Sequence, residues 1–132
     1  MIFFDANFLI SFYIEDEKDH KRALEIMESS KNKKKIISKL IIGETINILF
    51  TKIKIDKNRI KEVYENLNND YTLVNDSYIF DKTIDKIMNS NKRFPFFDYV
   101  YITLMEDLGI KEIATFDKHL CDSLGPRFSV IQ

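Results

Sequence analysis

The sequence predicts an α/β fold in which a mainly parallel sheet of about five strands lies between two layers of helices. Two observations support this prediction. Short apolar runs suited to buried strands alternate along the chain with longer amphipathic segments suited to helices. No repeat, linker or low-complexity tract interrupts this alternation. Alternating strands and helices form parallel sheets joined by right-handed crossovers, so a single domain is expected over residues 1–132.

The first half of the chain predicts two strands and four helices. Each strand is a short apolar run, and the helices have apolar residues at helical spacing or begin at a capping residue. Ser38 is such a residue, because its hydroxyl can accept a hydrogen bond from the first turn of the next helix. The basic run 31–35 is expected to be a loop. The predicted elements are a strand at 1–4, helices at about 7–13 and 18–29, a strand at 36–37, and helices at about 39–53 and 57–68.

The second half predicts three strands and three helices. Asn and Asp residues at 68–70 form a break before the third strand. Pro95 opens the longest helix of this half and Gly109 stops it, which is the usual placement of these residues at helix ends. Asp117 can cap a short helix. The predicted elements are a strand at 71–74, helices at about 79–90 and 95–108, a strand at 112–115, a helix at 118–124 and a strand at 128–131.

Composition and charge exclude several classes of protein. The chain is 45% hydrophobic and 31% charged, as ordinary globular domains are. Its net charge of -1 excludes the strongly basic field of a DNA-packaging protein. Cys121 is the only cysteine, so no intramolecular disulfide can form and a reducing, cytoplasmic location is expected. No apolar run approaches the roughly 20 residues needed to span a bilayer, so no membrane role is expected.

Glu44 is the most informative carboxylate in the sequence. Apolar residues lie about one helical turn away on either side, namely Leu40, Ile41, Ile48 and Leu49. No Lys or Arg lies one turn away. A carboxylate that points toward the core is costly unless it is paired or binds a metal. Glu44 therefore needs a compensating group from elsewhere in the fold.

Three further carboxylates are expected near one edge of the sheet. Asp5 directly follows the first strand and Asp117 follows the fourth, so both emerge at the carboxyl edge, where parallel sheets bind ligands. Asp98 lies in the first turn of an aromatic-rich helix, close to apolar surface. Each acid also has an ordinary interpretation. Asp117 can cap a helix, Asp98 can complement a helix dipole, and Glu44 can reach solvent.

A shared divalent cation explains all four acids at once. Two carboxylates about 5 Å apart repel each other by roughly 3 kcal/mol at an effective dielectric constant near 20, so four of them need a counter-ion. Oxygen ligands with open positions suit Mg2+ or Mn2+. Such ions activate water and stabilise phosphoryl displacement, so the predicted chemistry is phosphodiester hydrolysis. The predicted metal ligands and catalytic residues are Asp5, Glu44, Asp98 and Asp117.

Four segments of the chain are, in order, FFDAN, SKLIIGE, FPFFDYVYITLMEDLGI and IATFD. Together, in this order and spacing, they resemble the PIN domain family. Within that family the chain looks most like the VapC-type toxins of toxin and antitoxin pairs. The resemblance covers nearly the whole chain and implies a PIN-like three-layer α/β/α sandwich. It also implies a metal-dependent endoribonuclease in which the same four acids hold one or two ions and position the attacking water.

The resemblance implies the products, the helper residues and the partners as well. RNA cleavage is expected to leave a 5′-phosphate and a 3′-hydroxyl. Asn7, Ser38 and Thr115 match small polar residues that orient the acids in the family, although capping and turn formation also account for them. A homodimer, neutralised by a cognate antitoxin protein laid across the site, is expected.

Two other functions stay open from the sequence. One is a housekeeping RNA-processing nuclease of the same family, and a neighbouring gene for a DNA-binding antitoxin would favour the toxin over it. The other is a catalytically inactive PIN-like module that binds RNA or protein and keeps its acids for folding. The presence of all four acids favours an active enzyme.

Overall fold

A parallel sheet of five strands forms the centre of the fold, in a computed structural model that describes residues 1–132. The strands are β1 Ile2–Phe4, β2 Lys35–Ser38, β3 Thr72–Val74, β4 Glu112–Ala114 and β5 Ser129–Ile131. They lie in the order β3-β2-β1-β4-β5, and every neighbouring pair is parallel. Phe3 of the central strand is in register with Ile36 on one side and Ile113 on the other. The predicted parallel sheet is confirmed.

Seven α-helices connect the strands, as the sequence predicts. None of them is long and apolar enough to cross a membrane. Most of their bounds agree with the predicted ones within two residues. The helices are α1 Ala6–Tyr13, α2 His20–Ser29, α3 Lys39–Ile48, α4 Lys57–Asn69, α5 Phe80–Met88, α6 Phe96–Leu108 and α7 Lys118–Ser123.

The order of the strands reverses at β1. The chain runs from β1 outward to β2 and β3, then crosses to the other side of β1 and adds β4 and β5. Because crossovers between parallel strands are right-handed, the connections of the two halves cover opposite faces of the sheet. The result is the three-layer α/β/α arrangement. Parallel sheets bind ligands at the carboxyl ends of strands where the order reverses, which here is the edge between β1 and β4.

The central strand is fully buried. Ile2, Phe3 and Phe4 have no exposed surface, as expected of a strand covered on both faces. Burying each such side chain contributes about 1.5–3 kcal/mol. All three belong to one cluster of 26 buried hydrophobic residues. The end of β1, where Asp5 lies, is therefore held in place by the core.

The helix predicted over residues 39–53 consists of two kinds of helix. α3 ends at Ile48, and Leu49–Ile53 form a π-helical turn. This wider turn is closed by Lys54, which has a left-handed conformation with φ 59° and donates its backbone N–H to the carbonyl of Leu49. Both kinds of turn keep a buried apolar face, so apolar spacing does not distinguish them.

Three other differences from the predicted elements have a local cause. A 3-10 turn, Asp76–Ile79, precedes α5, and Asn75 caps it by accepting a hydrogen bond from the Ser77 backbone at 3.2 Å. Pro95 lies just outside α6, because its ψ of 144° is extended. Lys35, the last residue of the basic run, belongs to β2, where it pairs with β1.

Gly109 and Gly43 are a matched pair for testing the backbone of the fold. Gly109 ends α6 with a φ of +69°, whereas Gly43 lies inside α3, and a Cβ at either position meets nothing within 4 Å. We expect Gly109→Ala to lower the free energy of unfolding by about 1–2 kcal/mol, because of the left-handed backbone. Gly43→Ala is expected to raise it by about 1 kcal/mol, because alanine favours helix. Chemical denaturation measures both, and equal effects would contradict the left-handed end of α6.

Candidate active site

Two of the predicted acids flank the edge between β1 and β4. Asp5 directly follows β1 and is only 4% exposed. Its Oδ1 accepts a hydrogen bond from the backbone N–H of Phe8 at 2.8 Å, which caps α1. Asp117 lies between β4 and α7, and its Oδ1 accepts from the backbone N–H of His119 at 2.9 Å, which caps α7. Both carboxylates are therefore fixed by the helices that they cap.

Thr115 joins these two acids. Its hydroxyl donates to Oδ2 of Asp5 at 2.5 Å and accepts from the backbone N–H of Asp117 at 3.0 Å. The side chain has no exposed surface. Thr115 therefore holds the Asp5 carboxylate from the side of β4, so that both oxygens of Asp5 are engaged.

Glu44 is compensated by a hydroxyl group. It lies in the middle of α3 and is partly buried. Tyr101 of α6, which is buried, donates its hydroxyl to Oε1 of Glu44. Tyr101 lies one helical turn after Asp98, so one helix supplies both groups. This hydrogen bond gives the Glu44 carboxylate a donor in its apolar surroundings and connects α3 to α6.

Asp98 has an oxygen with no partner. It lies in the first turn of α6, where the helix dipole favours a negative charge. Its Oδ2 is buried and has no hydrogen-bond partner. An unsatisfied buried acceptor of this kind costs about 1–3 kcal/mol. This oxygen is therefore available to a ligand, and a cation is the ligand that best suits a carboxylate.

All four predicted acids line one cavity of about 330 Å3. Asp5 and Glu44 come from the first half of the chain, and Asp98 and Asp117 come from the second. Apolar side chains form much of the remaining wall. They include Ala6, Ile10, Ile48, Phe116 and Leu120. The acids therefore meet in partly apolar surroundings, where their charges interact more strongly than in water.

Burial and mutual repulsion raise the pKa values of these acids. Burial raises the pKa of Asp5 to about 7, and the charges of Asp117 and Glu44 add to this effect. The hydrogen bond from Thr115 opposes it. Burial, followed by the charges of Asp117 and Glu44, raises the pKa of Asp98 to about 6. Burial also raises the pKa of Glu44. Several raised pKa values in one cavity are typical of a functional site.

The chemistry of the four acids fits a divalent cation, although their side chains do not converge. No three acidic, histidine or cysteine side chains lie close enough together to share an ion. Carboxylate oxygens are nevertheless the ligands that Mg2+ and Mn2+ prefer, and the free oxygen of Asp98 and the raised pKa values indicate uncompensated negative charge. All four acids nevertheless line the same cavity, and Asp98, whose Oδ2 has no hydrogen-bond partner, can rotate about its side-chain bonds toward the other three.

The three predicted helper residues have different surroundings. Thr115 contacts two of the acids, as described above. Asn7 is exposed and lines the cavity. Ser38 does not line the cavity, and its hydroxyl accepts from the backbone N–H of Ile41 at 3.3 Å as the cap of α3. The contact of Ser38 is the capping contact, so its predicted role in orienting the acids has no support from geometry.

Several residues at the site were missed by sequence reasoning. Tyr101 belongs to the aromatic-rich helix that carries Asp98, and its position one turn after that acid was a usable signal. Asp76 is buried, accepts from the backbone N–H of Leu40 at 3.3 Å, and contributes to raising the pKa of Glu44. No sequence pattern distinguishes it.

The connection between α1 and α2 also lines the cavity, through Glu17, Lys18 and Asp19.

Comparisons with known proteins agree with this fold. The family model described as PIN domain matches residues 2–123. No curated protein matches the chain significantly. Among solved structures, VapC20 of Mycobacterium tuberculosis, a toxin that cleaves the sarcin-ricin loop, has a TM-score of 0.77 to this chain and is 16% identical to it. The match covers 93% of this chain and 95% of VapC20. At this identity the likeness shows the fold alone.

The raised pKa values predict that the metal-free protein loses stability as the pH rises. Between about pH 4 and pH 7 the folded protein keeps a proton on Asp5 that the unfolded chain releases. The folded state then binds more protons, so the free energy of unfolding falls with rising pH. A tenfold change in proton affinity is about 1.4 kcal/mol, so we expect a loss on the order of 3 kcal/mol from about pH 5 to about pH 8. Chemical denaturation in EDTA measures it.

Two substitutions separate this effect from general titration. Asp5→Asn is expected to remove most of the pH dependence, because Asp5 has a more strongly raised pKa than Asp98. Asp85→Asn replaces an exposed carboxylate of α5 and is expected to leave the pH dependence unchanged. A wild-type protein that gains stability between about pH 5 and pH 8 would contradict a raised pKa of Asp5 in the folded state.

Thr115→Val is predicted to destabilise the protein more than Thr115→Ser. Valine has nearly the shape of threonine but leaves Asp5 Oδ2 without its donor, which costs about 1–3 kcal/mol. Serine keeps the hydroxyl and loses one buried methyl group, which costs about 1 kcal/mol. Thermal unfolding at neutral pH compares the two variants. If valine is tolerated as well as serine, the hydrogen bond to Asp5 contributes nothing to folding.

Proposed function

We propose that this chain, which belongs to the PIN domain family, is a single-domain metal-dependent endoribonuclease over residues 1–132. The observation that carries this proposal is the cavity at the edge between β1 and β4. Four carboxylates from four separate segments line it, and one of them has a buried oxygen without a partner. The family match and the fold shared with a ribonuclease toxin support the same activity.

The four acids are the proposed ligands and catalytic residues. Asp5, Glu44, Asp98 and Asp117 would hold Mg2+ or Mn2+ through carboxylate oxygens. A bound ion would supply positive charge at the phosphate and would make a bound water more acidic. The strands and helices that carry the four acids bring them to one cavity. The expected products are a 5′-phosphate and a 3′-hydroxyl.

Two hydroxyl groups are proposed to orient these ligands. Thr115 donates to Asp5, and Tyr101 donates to Glu44. Such contacts leave a carboxylate only a few orientations and direct its free lone pairs toward the cavity. Asn7 lies at the cavity wall, where its amide can contact an acid or the substrate. Ser38 acts further away, by capping the helix that carries Glu44.

The biological role proposed for this activity is that of a toxin restrained by a cognate antitoxin protein in the cytoplasm. Support comes from the resemblance to VapC-type toxins and from the fold of VapC20, which is described as a toxin that cleaves the sarcin-ricin loop. A homodimer is also proposed. Large apolar side chains that a second copy could cover stay exposed on α5 and at the start of α6, namely Ile84, Met88 and Phe97.

A catalytically inactive PIN-like module that binds RNA or protein is the second candidate. It is favoured by one observation, since no three acidic side chains lie close enough together to hold an ion. Metal binding and cleavage distinguish the two candidates, because an inactive module needs neither.

We predict that purified protein, freed of any partner, cleaves total RNA at defined positions with Mg2+ or Mn2+ and not with EDTA. Asp98→Asn is expected to reduce cleavage by at least about a hundredfold, because it removes a carboxylate that is proposed to bind the metal ion. Mapping of the new ends measures this and shows whether they carry a 5′-phosphate. Absence of metal-dependent cleavage by folded, metal-binding protein would favour the inactive module.

A metal-binding control accompanies the cleavage experiment. Mn2+ is expected to raise the melting temperature of the wild-type protein, because an ion selective for the folded state stabilises it by mass action. Glu44→Gln is expected to abolish this rise and to leave the metal-free protein folded. Glu65→Gln, at an exposed position of α4, is expected to retain it. If Glu44→Gln keeps the full rise, Glu44 is not a ligand.

A further inference from the structure

One basic side chain lies at the wall of the acidic cavity. Fifteen residues line this cavity, and six of them are acidic, because Glu17 and Asp19 join the four proposed ligands. Lys18 is the only lysine or arginine among the fifteen. A cavity with this balance repels any anion. An RNA strand, which carries a negative charge at every phosphate, needs positive charge to enter it.

The ammonium group of Lys18 is free. Seven ion pairs are formed in the protein, and Lys18 takes part in none of them. Its sequence neighbours Glu17 and Asp19 carry the opposite charge, yet neither lies within ion-pair distance of it. Other lysines are engaged, as Lys33 is with Glu112 at 2.8 Å. Lys18 is also exposed to solvent, so its side chain can reach a ligand that enters the cavity.

The backbone that carries Lys18 is held in place on both sides. The backbone N–H of Glu17 donates to the carbonyl of Ile14 at 3.2 Å, and the backbone N–H of His20 donates to the carbonyl of Glu17 at 3.0 Å. The ring of His20 also donates, through Nδ1, to the carbonyl of Ser11 at 2.8 Å. These contacts fix the α1 to α2 connection against α1. Lys18 therefore has a fixed Cα at the cavity wall and a flexible side chain beyond it.

We propose that Lys18 binds a phosphate of the RNA strand at this cavity and so positions the substrate, an inference that rests on the proposed function. A divalent ion neutralises part of the charge of the acids, and the ammonium group supplies positive charge on the side of the α1 to α2 connection. A lysine suits this role because its compact charge on a long flexible stem follows a phosphate that moves.

RNA binding is the first measurement, made in the Asp98→Asn background so that the strand stays intact. The probe is a short fluorescein-labelled single-stranded RNA of mixed sequence, followed by fluorescence anisotropy with Mg2+ at several salt concentrations. Lys18→Ala is expected to weaken binding by roughly three- to tenfold and to reduce the slope of log affinity against log salt by about 0.7 to 1, the loss of one phosphate contact. Lys18→Arg is expected to restore most of both.

The matched control is Lys21→Ala. Lys21 is an exposed lysine of α2, three positions further along the chain, and it does not line the cavity. Its substitution is expected to change neither the affinity nor the salt slope. In the cleavage assay with Asp98 intact, Lys18→Ala is expected to raise KM with little change in kcat, and the melting shift caused by Mn2+ is expected to stay that of the wild type.

Two results would overturn this assignment. One is a Lys18→Ala protein with the RNA affinity and the salt slope of its parent. The other is a loss of the Mn2+ melting shift with unchanged RNA affinity, which would make Lys18 a counter-ion of the acids. Failure of the proposed nuclease is distinguishable from both. In that case the wild-type protein makes no metal-dependent cuts, while RNA binding still depends on Lys18.

Discussion

The site depends on one constraint, which is that the carboxylate of Asp5 lies directly after a fully buried central strand. The side chain cannot move away, because the three residues before it are fixed in the core. The carboxylate therefore needs hydrogen-bond donors at that position. The backbone of α1 donates to one oxygen and Thr115 donates to the other, so both the first helix and the end of β4 take their positions from this group. The remaining acids lie around the same edge of the sheet.

Capping and ligand binding are compatible in this arrangement. Asp5 and Asp117 each cap a helix through one oxygen, which is the ordinary interpretation of an acid at a helix start. Capping fixes the carboxylate at the mouth of a helix and leaves Asp117 an oxygen directed elsewhere. Repulsion within the group then remains to be relieved, since the pKa values of Asp5 and Asp98 are raised partly by the charge of Asp117. A stable scaffold and an electrostatically strained site therefore use the same residues.

Most of the fold could be predicted from the sequence, because it depends on local patterns. Apolar runs mark the strands, and Ser38 and Asp117 mark helix starts by capping chemistry that acts over three residues or fewer. That the four acids line one cavity was also predictable, since each follows a strand or lies on a largely apolar helix face. Contacts between segments that are distant in the sequence could not be predicted. Tyr101 meets Glu44 across 57 positions, and Asp76 meets Leu40 across 36, and no periodicity encodes such pairs. The π-helical turn after α3 was missed because it keeps the same buried face as an α-helix.

The reversal of strand order at β1 has a consequence for the timing of activity. Acids from both ends of the chain meet at this edge, with Asp5 near the start and Asp117 after the fourth strand. A nascent chain that has emerged only as far as α5 has Asp5 and Glu44 but neither Asp98 nor Asp117. An activity that requires all four groups cannot appear before the chain has been synthesised beyond Asp117 and has folded. A copy that is terminated before Asp98 therefore lacks two of the four proposed ligands.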